Sequence, residues 1–223
     1  MATKPSPVAS RSGSSKDSKE KDGKGSLIEL VVIVVVALGL ALGIQQFLVK
    51  PFRIPSESME PTLDVGQRVL VDRVSPRFSD PHRGDILVFK PPQGADDNAE
   101  VQCAVDVPNA PCAKEIPKKS KTNFIKRVVG EPGDVLFVQR GRVFLKGKDG
   151  RFHQQKEPFI RPDEACETCN LTKPITIPRG QFFMMGDNRG NSTDSRVWGP
   201  VPKDWIIGGA FFTYWPPKRI GTP

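Results

Sequence analysis

The stretch that most restricts this chain is L-I-E-L-V-V-I-V-V-V-A-L-G-L-A-L-G-I-Q-Q-F-L-V, Leu27 to Val49. As a helix these 23 residues would extend roughly 34 Å, enough for a hydrocarbon layer of about 30 Å. The run is apolar on every face, so a core helix of a soluble protein, which needs only one apolar stripe, is disfavoured. A retained transmembrane helix and a cleavable leader remain. The run is long for a leader, but the small residues Ala37, Gly39, Ala41 and Gly43 resemble a processing site. Glu29 sits at the start of the run, at headgroup level, where a carboxylate favours a helix N-terminus.

Residues 1–26 are rich in Ser, Lys and Gly and nearly devoid of bulky apolar side chains. Such a segment buries too little surface to offset ordering, and is expected to be a disordered tail. Lys4, Arg11, Lys16, Lys19, Lys21 and Lys24 precede the run, whereas Lys50, Arg53 and Arg68 follow it. The excess of positive charge predicts a single-pass protein with a cytoplasmic tail and residues 50–223 outside the cytoplasm. The net charge of +8 is scattered and forms no basic-aromatic face, so nucleic acid is not expected as a partner.

Four cysteines fit the same compartment. Cys166 and Cys169 form C-E-T-C, and Cys103 and Cys112 lie nine positions apart. Local pairs Cys103–Cys112 and Cys166–Cys169 are the expectation for an oxidising space, although spacing alone does not fix the pairing. A four-cysteine zinc site is the alternative, supported by only one C-x-x-C knuckle.

The body holds most of the 20 Gly and 22 Pro among short Val-, Ile- and Phe-rich runs. Gln67–Val74, Gly84–Lys90, Asn123–Gly130, Val135–Gln139, Arg142–Lys146, Arg151–His153, Gln181–Met185 and Ile206–Trp215 read as strands. Two polar excursions, Pro91–Thr122 and Glu157–Leu171, interrupt them. The expected fold is mainly β: an antiparallel barrel or sandwich-like domain with two inserted loops, preceded by one transmembrane helix.

Which chemistry fits? G-x-S-x-G, H-E-x-x-H and a phosphate-binding glycine loop are all missing from the sequence. His82 and His153 are the two histidines, and neither has a matching acid at a telling place, so a Ser-His-Asp triad is poorly supported. Ser56 and Ser58 stand between Pro55 and Pro61 in I-P-S-E-S-M-E-P-T-L, a segment stiffened against helix formation. A serine displayed there is a nucleophile if a base reaches it, and a plain loop residue otherwise. Lysine serves as that base once its pKa falls from about 10.4 toward 8, at a cost of roughly 3 kcal/mol. Lys126, among Phe124, Ile125, Val128 and Val129, is the lysine placed for such burial; an outward-facing strand lysine is the competing reading.

Four segments in order, I-P-S-E-S-M-E-P-T-L, G-D-I-L-V-F, F-I-K-R-V-V-G-E-P-G-D and G-D-N-R-G-N-S-T-D-S-R, resemble the boxes of the bacterial type I signal peptidases, membrane-bound Ser-Lys proteases. The resemblance spans Ile54 to Arg196 and implies an endopeptidase that trims signal peptides from exported preproteins at Ala-x-Ala sites. By it, Ser58 is the nucleophile and Lys126 the general base. Ser56 serves the oxyanion, and Ser192 orients the lysine. Asp187, Asp194, Arg196 and Arg127 are structural. Phe52, Ile54, Pro55, Asn123 and Ile125 line the extended substrate. The same likeness implies no metal or cofactor, and a monomer in the bacterial inner membrane whose catalytic domain is periplasmic or extracellular. Two positions depart from the family pattern: Gly190 stands where an Asp is common, and Glu57 where many relatives carry Gly. A carboxylate at Glu57 aimed at Lys126 would raise the lysine pKa, so it is expected to face away.

Overall fold

The computed structural model describes residues 19–95, 118–160 and 170–223. Cys103, Cys112, Cys166 and Cys169 lie outside the described residues, as does the tail before Lys19. The chain separates into two units, one ending at Ile44 and one running from Gln45 to Pro223.

The first unit contributes most of helix α1, Lys19–Phe47. Its segment Ser26–Ile44 has a mean hydropathy of 2.9 and is long and apolar enough to cross a membrane. The helix starts at Lys19, so the part of the expected disordered tail from Lys19 to Ser26 is helical. Lys and Glu are good helix formers, and extending a nucleated helix costs little. At the other end the helix stops at Phe47, and Val49 opens a strand.

Among the described residues of the second unit, the regular structure is mainly antiparallel sheet. Its strands are β1 (Val49–Arg53), β2 (Arg68–Asp72), β3 (Ile86–Phe89), β4 (Phe124–Gly130), β5 (Val135–Gln139), β6 (Arg142–Lys146), β7 (Phe152–Gln154), β8 (Leu171–Thr176), β9 (Gln181–Met185), β10 (Val201–Pro202) and β11 (Ile206–Trp215). One sheet has the order β1-β2-β11-β3-β4-β9-β10 and the other β7-β6-β5-β8. Short helices α2 (Ser75–Phe78) and α3 (Ser195–Trp198) lie in the connections. All eight runs read as strands are strands here, with ends moved by a residue or two. Strands β1, β8 and β10 were not foreseen.

Apolar patterning follows position in the sheets. Interior strand β3 is buried at every residue, which is why I-L-V-F shows no alternation. Strands β5 and β6 bury alternate residues, Leu136 and Val138 against Val143 and Leu145. Three apolar clusters result. Leu87, Phe89, Val128, Phe182, Met184 and Trp198 belong to the first, and Leu136, Val138, Leu171 and Phe183 to the second. The third contains Ile54, Met59, Leu63, Val69, Val71, Val88 and Ile125, with Phe52 packed against it. That cluster fixes the turn after β1 onto β4.

Candidate active site

Ser58 lies on a single 3-10 turn, Glu57–Met59, entered from an extended Ser56. The turn is anchored by its apolar residue: Met59 is fully buried in the third cluster, and the Leu63 N–H donates to the Met59 carbonyl. Met59 pointing into the core leaves Ser58 turned toward β4, 6% exposed. Strand β4 supplies Lys126, paired with Leu87 across β3 and 3% exposed. The competing outward-facing reading of Lys126 does not hold.

The Lys126 Nζ stands 2.5 Å from the Ser58 Oγ. Burial chiefly drives the Lys126 pKa down to about 8, assisted by the positive charge of Arg196 and opposed by Asp194 and Asp187. The Phe124 ring, 5.6 Å from the Nζ, forms part of the apolar wall that excludes water. Near pH 8 half of such amines are neutral, and a neutral amine at this distance accepts the serine proton. The Ser56 hydroxyl, on the exposed side, donates to the Ser58 Oγ at 3.3 Å.

Behind the dyad lies the loop that follows β9. Gly186 is there because nothing larger fits: a Cβ would collide with the Ser58 carbonyl and the Ser192 side chain. The Asn188 N–H donates to that same Ser58 carbonyl at 3.1 Å. Asp187 is fully buried and gripped in bidentate fashion by Arg127, with Nε to Oδ1 2.9 Å and Nη2 to Oδ2 2.7 Å. Thr62 donates to Asp187 Oδ2 at 2.5 Å, tying the nucleophile turn to the same carboxylate.

Asp194 is the second buried acid. It caps α3 and accepts from the Gly186 N–H at 3.0 Å, the Ser192 hydroxyl at 2.8 Å and the Arg196 Nε at 2.8 Å. Burial alone would raise its pKa, but Arg196, the Gly186 N–H and Lys126 together hold it below the usual carboxylate range. In turn Asp194 holds the Arg196 pKa up against the burial that would lower it.

Ser192, expected to orient the lysine, lies in this same network. Its hydroxyl donates to Asp194 at 2.8 Å, and the Lys126 amine donates to Ser58. Glu57 faces away from Lys126 as expected, its carboxylate accepting from Asn191 at 3.1 Å. Of the residues expected to line the substrate, Ile54 and Ile125 are buried in one cluster with Phe52 beside them, while Pro55 and Asn123 are exposed. Strand β9 pairs with β4 from Arg127 onward, so among the described residues Phe124 to Lys126 pair with β3 alone and keep one backbone edge open.

Sequence reading missed a third charged pair. Arg189 is 2% exposed and meets the buried Glu157, Nη2 to Oε1, at 2.5 Å. Gly190 beside it has no side chain to pair, and Glu157 stands 32 positions away, so no spacing rule joins the two. The signal available was an arginine in a loop that otherwise packs on buried strands.

A family profile described as "Signal peptidase, peptidase S26" matches residues 27–215. The chain belongs to this signal peptidase family. Among its relatives is a probable signal peptidase I-2 of Synechocystis sp., 36% identical over 203 residues, covering 91% of this chain and 80% of that protein. A probable signal peptidase I-1 of the same organism is 39% identical over 193 residues, covering 86% and 85%. The signal peptidase I of Leptolyngbya laminosa is 36% identical over 195 residues, covering 87% and 83%. A crystal structure of a signal peptidase I from Enterococcus faecalis has a TM-score of 0.34 at 21% identity, covering 59% of this chain and 97% of that one. With its apolar helix, the chain is a membrane-anchored member of the signal peptidases.

Proposed function

We propose that this signal peptidase cleaves signal peptides from exported preproteins with Ser58 as nucleophile and Lys126 as general base. The observation that carries this reading is the buried Lys126 amine 2.5 Å from the Ser58 hydroxyl, with a pKa near 8. The substrate lies extended along the open edge of Phe124 to Lys126, adding backbone hydrogen bonds to the sheet. Small side chains at −1 and −3 enter the shallow apolar surface around Phe52, Ile54, Pro55, Asn123 and Ile125, the Ala-x-Ala preference.

In the first step the Ser58 Oγ attacks the −1 carbonyl carbon while its proton passes to the neutral Lys126. The negative oxygen is held by the Ser58 N–H and the Ser56 hydroxyl; one such donor contributes around 3 kcal/mol. Collapse breaks the C–N bond, Lys126 returns the proton to the leaving amine, and an ester on Ser58 remains. Lys126 then takes a proton from water, whose oxygen attacks the ester carbonyl; the C–O bond to Ser58 breaks, Lys126 returns the proton to the Ser58 oxygen, and the signal peptide is released as its carboxylate. Ser192 acts through Asp194, fixing the carboxylate that faces the lysine. Asp187, Arg127 and Arg196 hold the loop against β4.

The anchor, one helix with its tail in the cytoplasm, places the peptidase unit across the bacterial inner membrane as a monomer among lipids. Holding enzyme and preprotein in one bilayer raises their effective concentration. The test is cleavage of a peptide with an Ala-x-Ala site by wild type, Ser58→Ala and Lys126→Ala. Both variants should be inactive; equal turnover by all three would sink the Ser-Lys mechanism.

A further inference from the structure

The second sheet contributes none of the residues that touch the substrate in the mechanism above, yet the segment leaving it reaches both elements that build the site. Glu157 is 6% exposed, and its Oε2 accepts from the Val143 N–H at 3.0 Å, which roots it in β6. The same carboxylate takes the Arg189 guanidinium through both of its oxygens, at 2.5 Å and 3.3 Å. Arg189 passes this anchorage on: its Nε donates to the Gly186 carbonyl at 3.0 Å, and its Nη1 to the carbonyl of Gly141. Two residues further along the segment, the Phe159 ring lies over the Arg127 guanidinium, 4.0 Å from Cζ to the ring centroid. Ile160 is buried and closes the segment.

Both arginines bear directly on the dyad. Arg127 follows Lys126 in β4 and clamps Asp187. Gly186, held by Arg189 through its carbonyl, donates its N–H to Asp194 and sits in close contact with the Ser58 carbonyl. One short segment thus fastens the loop behind the nucleophile and the strand that carries the base. We propose that Glu157–Ile160 is a strap that positions the dyad and keeps it dry, with Glu157 and Phe159 as its positioning residues. This rests on the Ser-Lys reading of the site.

The consequence is specific because burial is the leading cause of the low lysine pKa. The charged groups that face Lys126 are Asp194, Arg196 and Asp187, and each of them is held in an ion pair. Loosening the strap lets the loop swing and admits water, which returns Lys126 toward its ordinary pKa. A lower fraction of folded protein would reduce the rate by one constant factor at every pH. A wetter lysine instead moves the acid limb of the rate profile upward.

The test is the pH profile of kcat/KM on an Ala-x-Ala peptide, using the full chain in detergent, for wild type, Glu157→Gln, Phe159→Leu and the double variant Glu157→Met with Arg189→Met. Ser58→Ala serves as the blank. The double variant removes both buried charges together, which such sites often tolerate. For Glu157→Gln and the double variant the acid limb should rise by about one pH unit, giving roughly tenfold less activity at pH 7 and near-equal activity at pH 10. Phe159→Leu should move it in the same direction by a smaller amount. A limb at the wild-type position in the folded double variant would overturn the strap. Activity in Ser58→Ala would overturn the Ser-Lys reading itself, whatever the strap variants do.

Discussion

Replacing Lys126 with methionine should abolish cleavage and, at neutral pH, make the protein more stable. Lys126 is 3% exposed, and burial above all takes its pKa from 10.5 to about 8. At about 1.4 kcal/mol per pH unit, this drop means that the charged amine disfavours the folded state by roughly 3 kcal/mol. The folded pKa lies below the unfolded one, so between about pH 8 and 10.5 the unfolded chain keeps a proton that the folded chain has lost. Stability therefore rises with pH across that window. Below it the penalty is complete, and above it the penalty is gone.

Methionine is close to lysine in length and carries no charge, so it removes the penalty at every pH. It also removes the contact with Ser58, a loss of about 1 kcal/mol. The net gain at pH 7 is about 2 kcal/mol, which for a chain of this size raises Tm by roughly 4–8 °C. Toward pH 10.5 the gain should vanish or reverse by about 1 kcal/mol. The assay is thermal unfolding of the full chain in one detergent, followed by far-UV circular dichroism from pH 6.5 to 10.5. Ionisations elsewhere occur in both proteins and cancel in the difference. A variant no more stable than wild type at pH 7, or a difference that does not change with pH, would refute the reasoning.

The rate of peptide cleavage by the wild type should climb about tenfold per pH unit below 8 and level off above about 9, as neutral Lys126 accumulates; a profile flat from pH 5 to 9 would exclude lysine as the base. Glu57→Gly should leave kcat/KM within about threefold, because it removes one exposed hydrogen bond to Asn191 and no charge that faces Lys126. A loss of a hundredfold would give Glu57 a part in the chemistry. Asp187→Asn strands the buried Arg127 without its anion and should cost about 3–5 kcal/mol in denaturant unfolding. A change below about 1 kcal/mol would mean that Thr62 and Gly84 suffice to hold Arg127.

The legible part of the fold was the part with pattern. Strands β3, β5, β6 and β9 carry runs or alternations of apolar residues, and each was foreseen. Strands β1, β8 and β10 contain Pro51, Pro174 and Pro202, which read as breakers. All three strands lie at sheet edges, where a proline that lacks an N–H loses no ladder bond. The boundary of α1 was misplaced for a related reason. Val49 belongs to the apolar run by composition and to β1 by its pairing with Asp72, a contact with no local trace. Ser58 and Lys126 could be singled out because each lies in a motif with a chemical rationale, and the fold brings the two side chains together. The Glu157–Arg189 pair joins a polar excursion to a loop 32 positions away, and only the folded chain brings them within reach.

The charges around the dyad also explain why Ser192 is better placed on Asp194 than on the lysine. A lysine base must be neutral often enough to accept a proton, yet a buried site that held an unpaired carboxylate would keep it charged. Here each carboxylate that faces Lys126 is matched: Asp187 by Arg127 and Thr62, Asp194 by Arg196, Gly186 and Ser192. The hydroxyl of Ser192 and the N–H of Gly186 draw negative charge on Asp194 toward themselves, which weakens its hold on the lysine proton. Burial then decides the balance, and the amine is left with a pKa near 8 beside the Ser58 hydroxyl.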